Sequence, residues 1–346
     1  MSIFRRLFGQ VERKQEPPTP QSEPKAAASN PAPNAANTPS TAPDTGAGDK
    51  AARLPIETDT RPVKPVSPTG ALGDGVTRPL PQDVFMEVGG NQHLSFGQVT
   101  DVGMVRTNNQ DTAFSIFSAS RSVLERPDFG LFIVADGMGG HHDGEKASAL
   151  AARSVAVQLT TKIYTSLIAG DDRYNEIPVV EAMTEAILKA NADVVAKVPD
   201  GGTTLSSIMI LGDMAYMAHV GDSRIYLIHR DKIEQLTRDH SLVQRLIELD
   251  QLTPEEAVDH PQKNVLYRAL GQTESIEVDT LTRRLPPHSR ILVCSDGLWN
   301  QVNDREIWQT VQQYSNPQEA CNELVKKANA SGGLDNVTVI LLQLPG

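Results

Sequence analysis

Residues 131–145 read LFIVADGMGGHHDGE, an apolar run that changes abruptly into a carboxylate, four glycines and two imidazoles. A short apolar run bounded by turn residues is typical of a strand that is buried on both faces. We therefore predict a buried strand near 130–135 that delivers the carboxylate of Asp136 into a loop, where it can bind a metal ion.

The same pattern recurs twice near the C-terminus. An apolar run at 291–295 leads into Asp296-Gly297, and Asp335-Asn336 comes just before the apolar run 337–342. Taken singly, Asp-Gly and Asp-Asn are ordinary turn dipeptides. The repetition favours three carboxylates at strand ends. Because these acids have no cysteine partners and few histidines nearby in sequence, an oxygen-preferring ion such as Mg²⁺ or Mn²⁺ is favoured over zinc.

Apolar periodicity along residues 94–346 predicts both strands and helices. Strands are expected near 95–100, 112–117 and 130–135, and two helices should follow. One apolar stripe is Leu150, Ala151, Val155, Leu159, Ile163 and Leu167; the other is Met183, Ala186, Ile187, Ala190 and Val194. Residues 204–236 should form four short strands joined by tight hairpins at Gly212-Asp213, Gly221-Asp222 and Arg230-Asp231.

These strands are apolar on both faces, so each sheet needs a covering layer on either side. The predicted fold class is therefore α+β, with two antiparallel β-sheets packed as a sandwich and flanked by α-helices on both sides, in four layers αββα. Residues 239–270 interrupt the pattern. We interpret them as a flap insertion, with Asp239 capping a helix that runs through Leu249 and Pro254 starting another turn.

The first 90 residues differ from the rest in composition. They contain 14 of the 23 prolines, and their ten basic and ten acidic residues balance. Such a composition buries too little apolar surface to fold, so we predict a disordered Pro/Ala-rich tail over 1–90 and one folded domain over 91–346. The net charge of −11 then belongs to the domain. An acidic domain argues against a nucleic-acid partner.

Cysteine usage and apolar runs bear on the compartment. Cys294 and Cys321 show no metal-binding or disulfide spacing, which favours a reducing, cytoplasmic location. No run of eighteen apolar residues occurs, so we expect no integral membrane span. We also expect a monomer.

Six motifs, taken together, identify a family resemblance. They are Arg106 to Asp111, Asp136 to His141, Gly202-Thr203-Thr204, Gly221-Asp222-Ser223-Arg224, Ser295-Asp296-Gly297 and Asp335-Asn336. In this order and approximate spacing they resemble the metal-dependent protein phosphatases, the type 2C or PPM family, in its bacterial branch. The resemblance covers roughly residues 95–344.

The resemblance implies a metal ligand set. Asp136 would bridge two ions of Mn²⁺ or Mg²⁺, with the Gly137 carbonyl on one and Asp296 and Asp335 on the other. Asp222 resembles the additional ligand of a third ion, and its interpretation as a hairpin-turn residue has equal weight.

The resemblance also implies catalytic roles. Arg106 corresponds to the phosphate-binding arginine, Asp111 to the acid that orients metal-bound water, and His141 to the proposed general acid. His142 has no counterpart. The family commonly has Glu where Gln110 stands, so Gln110 receives no ligand role.

The function that follows is a metal-dependent serine/threonine protein phosphatase. It would hydrolyse phosphomonoesters by direct attack of a metal-activated water at a two- or three-metal centre. Its partners would be phosphoserine and phosphothreonine proteins, including a Ser/Thr kinase. Three alternatives are a phosphatase dedicated to one phosphoprotein, a pseudophosphatase that only binds phosphoproteins, and a protein whose Pro-rich tail is the main interaction segment.

Overall fold

The structure, a computed structural model, describes residues 93–119, 127–139, 143–170 and 178–346. The tail predicted over 1–90 lies outside these residues.

The strands form two antiparallel sheets. Sheet one contains, in spatial order, β1 (Ser95–Asp101), β11 (Val337–Gln343), β10 (Arg290–Cys294), β7 (Arg224–Ile228) and β8 (Ile233–Gln235). Sheet two contains β2 (Asp111–Ser118), β3 (Phe129–Gly139), β5 (Leu205–Leu211), β6 (Met214–Val220) and β9 (Asp279–Arg284), with β4 (Gly201–Thr203) paired to the end of β3. Every neighbouring pair is antiparallel.

Helices lie on the outer face of each sheet. Sheet two is covered by α1 (Asp143–Leu159) and α2 (Val179–Lys197). The first of these continues through a π-helical turn (Thr160–Tyr164) and one further α-helical turn (Thr165–Ile168). The remaining helices are α3 (Leu242–Glu248), α4 (Pro254–Val258), α5 (Asp296–Trp299), α6 (Asp304–Gln313) and α7 (Pro317–Ala330). Of these, α6 and α7 pack on sheet one.

Alternating side chains of β3 explain why its sequence is apolar throughout. Leu131, Ile133 and Ala135 pack against α1 and α2. Phe132 and Val134 point the other way, into the core between the two sheets. Because successive strand residues face opposite sides, a strand inside four layers needs apolar residues at every position. The predicted fold class is thus confirmed. Both predicted helical stripes are also buried, apart from the half-buried Leu150.

The four strands predicted within 204–236 are present, but they do not form one meander. The chain leaves β6 in sheet two and enters β7 in sheet one, so residues 221–223 connect the sheets. The interpretation of Asp222 as a hairpin-turn residue is therefore wrong. The boundary of β3 also differs from the prediction, because pairing with β4 carries the strand past Asp136 to Gly139.

The segment 239–270 contains α3 and α4 and no strand of either sheet. Ser241, not Asp239, caps α3, since its side chain accepts a hydrogen bond from the Gln244 amide. Thr253 forms a capping box with Glu256 at the start of α4. A flap role for this segment stays a prediction. Across the described ranges, no helix has the length and apolarity required to cross a bilayer.

Candidate active site

One end of the sandwich collects the predicted acids. In sheet one, the end of β1, the start of β11, the end of β10 and the start of β7 are neighbours, because Asp101 pairs with Val337 and Cys294 with both Val339 and Arg224. The loops that carry Arg106, Asp335, Asp296 and Asp222 leave the sheet at this end. Antiparallel pairing therefore explains how residues so far apart in sequence meet.

Sheet two supplies a pair of opposed carboxylates. Asp111 opens β2 and lies directly opposite Asp136 of β3. Opposed residues of neighbouring strands project from the same face, and the alternation of Phe132 and Val134 shows that this face looks toward sheet one. The Ser295 hydroxyl, which follows β10, donates to Asp111 Oδ2 at 2.7 Å. This hydrogen bond joins the two sheets at the site.

Two glycines allow the close approaches that the site requires. A Cβ on Gly137 would lie 2.2 Å from the Gly144 carbonyl oxygen, so only glycine lets β3 contact the start of α1. A Cβ on Gly297 would lie 2.0 Å from the carbonyl oxygen of Asn336. Glycine at that position lets α5 begin against the start of β11, which brings Asp296 near Asp335.

The carboxylates of Asp296 and Asp335 have different partners. Asp296 Oδ2 accepts from Asn300 Nδ2 at 3.1 Å. Its Oδ1 is buried and has no hydrogen-bond partner in the described part of the chain. Asp335 Oδ2 accepts from Arg106 Nη2 at 2.7 Å, and Asp335 Oδ1 accepts from the backbone N–H of Asn336 at 2.8 Å.

Hydroxyl groups tie the Asp136 backbone to the connection between the sheets. Thr203 Oγ1 donates to the Asp136 carbonyl at 2.9 Å, and the Asp136 amide donates to Thr204 Oγ1 at 2.9 Å. Thr204 Oγ1 also lies 2.7 Å from Ser223 Oγ, next to Asp222. Asp222 itself is buried, and its carbonyl accepts from the Trp299 indole at 3.1 Å.

The pKa values of two buried carboxylates, Asp136 and Asp296, are raised strongly. Burial, and then the charge of Asp111, raises the pKa of Asp136 well above its ordinary value. Burial, followed by the charges of Asp222 and Asp335, does the same to the pKa of Asp296. Like charges in a region of low dielectric disfavour the ionised forms, so full ionisation of the cluster requires an added positive charge.

The pKa values of the other two buried acids, Asp111 and Asp222, are also raised by burial. Burial raises the pKa of Asp111 to about 6, against the opposing effect of hydrogen bonds from Thr338 and Ser295. Burial, with the charge of Asp239 next, raises the pKa of Asp222 to about 7. Both groups therefore titrate near neutral pH, a property that is common at functional sites.

A cavity of about 400 Å³ opens among these residues. Six of the residues singled out in the sequence line it: Arg106, Asp136, Gly137, Asp222, Asp296 and Asp335. Asp111 lies beside this cavity through its pairing with Asp136. Gln110, to which the sequence analysis assigns no ligand role, also lines it. His141 and His142 lie outside the described residues.

The residues fit a hard divalent cation by their chemistry. The donors are carboxylate and carbonyl oxygens, which suit Mg²⁺ and Mn²⁺. Two buried oxygens, Asp111 Oδ1 and Asp296 Oδ1, lack a hydrogen-bond partner within the described ranges. Among the described residues, no three His, Cys, Asp or Glu groups form a metal-binding cluster. The fit thus rests on donor type and uncompensated charge.

Sequence reasoning missed the residues that hold the acids in place. Thr203, Thr204, Ser295 and Asn336 stood inside the quoted motifs but received no role. Each contacts the backbone or side chain of an acid, or of the loop that carries Arg106. Their signal was the presence of small polar residues directly beside each acid or between strands that are otherwise apolar.

Comparison with known proteins places the chain among phosphatases. The family model described as Protein phosphatase 2C matches residues 105–330. The Listeria innocua protein named serine/threonine phosphatase stp is 36% identical over 247 residues, covering 70% of this chain and 93% of the relative. The Streptococcus pneumoniae protein phosphatase PhpP is 38% identical over 257 residues, covering 72% of this chain and 98% of the relative.

Solved structures agree with this assignment. The serine/threonine phosphatase of S. agalactiae superposes with a TM-score of 0.63 at 32% identity, covering 73% of this chain and all of that one. The catalytic domain of the phosphatase PstP, solved in complex with two manganese ions, gives a TM-score of 0.59 at 30% identity over 73% of this chain and 98% of that one. The predicted resemblance is confirmed: this chain belongs to the protein phosphatase 2C family.

Proposed function

We propose that this chain is a metal-dependent protein phosphatase that hydrolyses phosphoserine and phosphothreonine in proteins. The observation that carries the proposal is the cavity in which Asp136, Asp222, Asp296 and Asp335 meet Arg106. Phosphoryl transfer needs little covalent chemistry from the protein and depends on positioning and on positive charge. The names of the relatives support the same class of substrate.

The carboxylates of Asp136, Asp222, Asp296 and Asp335 and the Gly137 carbonyl would hold the cations. We propose two or three ions of Mn²⁺ or Mg²⁺, with Asp136, Asp296 and Asp335 among the residues that would hold the first two and Asp222 among those that would hold the third. When bound, such ions screen the charge of the phosphate and lower the pKa of water, so that a nucleophile is available near neutral pH.

Arg106 is proposed to bind the phosphate. Its guanidinium is half exposed at the cavity and donates to Asp335 Oδ2. A guanidinium can donate two parallel hydrogen bonds to a phosphate, which fixes the orientation of the phosphorus as well as its position.

Asp111 is proposed to orient the attacking water. Ser295 donates to its Oδ2, so Oδ1 is the oxygen left to contact the water. His141, the predicted proton donor to the leaving oxygen, stays a prediction.

The test is hydrolysis of p-nitrophenyl phosphate and of a phosphothreonine peptide by the full chain, with Mn²⁺ and with EDTA. We expect turnover with Mn²⁺ and none with EDTA. Asp136→Asn should reduce kcat/KM by about 10³-fold or more, because several kcal/mol of charge stabilisation depend on the ions that this carboxylate would hold.

The matched control is Asp213→Asn, which changes an exposed acid in the β5–β6 turn. This acid pairs with Arg284 of β9. It should keep wild-type activity. Full turnover in EDTA, or in Asp136→Asn, would refute the proposal.

The physiological substrates are proposed to include a Ser/Thr kinase. We also propose that the chain is a monomer and that it acts in the cytoplasm. Treatment of an autophosphorylated bacterial Ser/Thr kinase with wild type or Asp136→Asn, followed by phosphosite mass spectrometry, tests this. Loss of kinase phosphate is expected with wild type alone. The mass in solution, from light scattering, tests the monomer.

A further inference from the structure

Two loops beside the cavity expose large apolar side chains. Met104, Val105 and Leu334 have 69%, 60% and 59% of their surface exposed. Across the described ranges, six large apolar residues are more than half exposed, and these three are half of them. Single exposed apolar residues need no explanation, but a local concentration of them marks an interaction site.

Backbone hydrogen bonds hold these loops together. The amides of Met104 and Val105 both donate to the Gly333 carbonyl oxygen, at 2.8 and 3.2 Å. Asn336 Nδ2 donates to the Val102 carbonyl oxygen at 2.9 Å, so the same loop is fixed from its other side. The apolar side chains are therefore presented from a defined backbone, which lowers the entropy cost of binding.

The exposed residues are immediate neighbours of residues that line the cavity. Val105 precedes Arg106, and Leu334 precedes Asp335. Consecutive Cα atoms are about 3.8 Å apart, so the backbone of Val105 and of Leu334 lies one residue from the cavity lining. In a peptide whose phosphate is bound at Arg106, the residues beside the phosphoresidue follow at the same spacing, which brings them to these two loops.

We propose that Met104, Val105 and Leu334, here the apolar rim, bind an apolar side chain next to the phosphorylated residue of a protein substrate. The rim thus selects among phosphoproteins after Arg106 has bound the phosphate that all of them share. The inference rests on the proposed phosphatase function, because the occupant is defined by the phosphate beside it.

The experiment compares three substrates on the full chain with Mn²⁺. One phosphothreonine peptide has Leu on both sides of the phosphoresidue, and a second has Gln there. Blocked phosphothreonine, which has no neighbouring side chains, reports the chemistry alone. The proteins are wild type, the double variant Met104→Ser/Leu334→Ser, and the control Ile168→Ser, whose side chain is 62% exposed and does not line the cavity.

Wild type and Ile168→Ser should prefer the Leu peptide over the Gln peptide by about tenfold in kcat/KM, the scale of one apolar contact in a pocket. The double variant should lose this preference. Its turnover of blocked phosphothreonine should fall much less than its turnover of the Leu peptide.

Three results would overturn the inference: no preference in wild type, a preference that survives in the double variant, or an equal loss on all three substrates. A rim that instead joins two copies of the chain would change the mass in light scattering without changing the peptide preference, which also overturns it. Failure of the proposed function is distinguishable, because wild type would then not hydrolyse blocked phosphothreonine at all.

Discussion

Buried charge is treated in opposite ways in two adjoining parts of this protein. Around Arg224 it is paired completely. Arg224 Nη2 lies 2.7 Å from Asp239 Oδ2, and Nε lies 3.1 Å from both oxygens of that carboxylate. Tyr226 and Gln235 complete the hydrogen bonds, and the guanidinium lies 3.6 Å above the ring of Trp299.

Around Asp136, the described residues offer the buried carboxylate no such partner. Burial and four neighbouring carboxylates are the leading influences on its pKa, and all of them raise it. A scaffold minimises the free energy of the folded state by pairing its charges, because unpaired buried charge is costly. A group of unpaired acids therefore marks the place where binding a cation can offset that cost.

Removing a partner from the paired region should have the largest effect on stability. Asp239→Asn leaves the buried guanidinium of Arg224 without its countercharge, and we expect a loss of about 3–5 kcal/mol in the free energy of unfolding. Urea unfolding in EDTA measures it. Asp213→Asn, which breaks the exposed pair with Arg284, should change stability by less than about 1 kcal/mol. Equal losses would mean that burial of the ion pair does not matter.

Asn336 extends the comparison to a neutral paired group. Its Nδ2 donates to the backbone carbonyl oxygens of Val102 and Asn108, and its Oδ1 accepts from the backbone N–H of Gln110. Asn336→Ala should cost about 2–3 kcal/mol, because the three hydrogen bonds of this buried side chain are lost. The loop that carries Arg106 is released as well, so KM for p-nitrophenyl phosphate should rise more than kcat falls.

The control is Asn322→Ala on the exposed face of α7, which should leave both KM and stability as in wild type. A drop in kcat with unchanged KM would show that Asn336 does not act through phosphate binding.

His219 tests a buried group that is paired as a neutral species. Its Nδ1 lies 2.8 Å from Ser206 Oγ, and its Nε2 lies 3.1 Å from the Arg238 carbonyl oxygen. Burial lowers the pKa of His219 from 6.5 to about 3. The unfolded chain takes up a proton below pH 6.5 and the folded protein does not. The contribution of His219 to stability should therefore be fully present above that pH and fall by about 1.4 kcal/mol per pH unit below it.

The measurement is urea unfolding between pH 7 and pH 4 in wild type and His219→Gln. The variant should show a shallower loss of stability toward low pH. Parallel curves would mean that His219 is not the group responsible.

The smallest effect should have the opposite sign. Asp136→Asn removes a buried carboxyl group whose ionised form is disfavoured by burial and by other carboxylates, so in EDTA at pH 7 it should raise stability by about 1 kcal/mol, or the melting temperature by about 2–4 °C. Calorimetry in EDTA measures it. If the variant were less stable than wild type, Asp136 would stabilise the fold as the ion pair of Arg224 does. The difference between the two regions would then not exist.

The sequence predicted what local pattern determines. The apolar run before Asp136 specified a strand buried on both faces, and the stripes of α1 and α2 specified helices against a sheet. Local pattern does not say which strands pair. The Gly221-Asp222 dipeptide is typical of a hairpin turn, which was one of two interpretations of Asp222, yet β6 and β7 belong to different sheets.

Long-range partners account for the other errors. Asp239 was expected to cap a helix, but its carboxylate is taken by Arg224, fifteen positions away, and Ser241 caps instead. The strand β3 was expected to stop at Asp136, but it continues because β4 pairs with it. The positions of the acids followed from recognisable motifs. The pairing of Asp111 with Ser295 required the packing of the two sheets.

The register of β2 against β3 has a consequence for how this sequence can change over evolutionary time. Asp111 faces Asp136 because the strands pair at one particular offset, and inserting one residue into either strand would turn the following side chains to the other face. Insertions there would destroy the site and the core together. Residues 239–270 lie outside both sheets, so a change of length within them leaves the register of β2 against β3 unchanged. New substrate preferences can therefore be acquired in that segment while the hydrolytic chemistry is inherited unchanged.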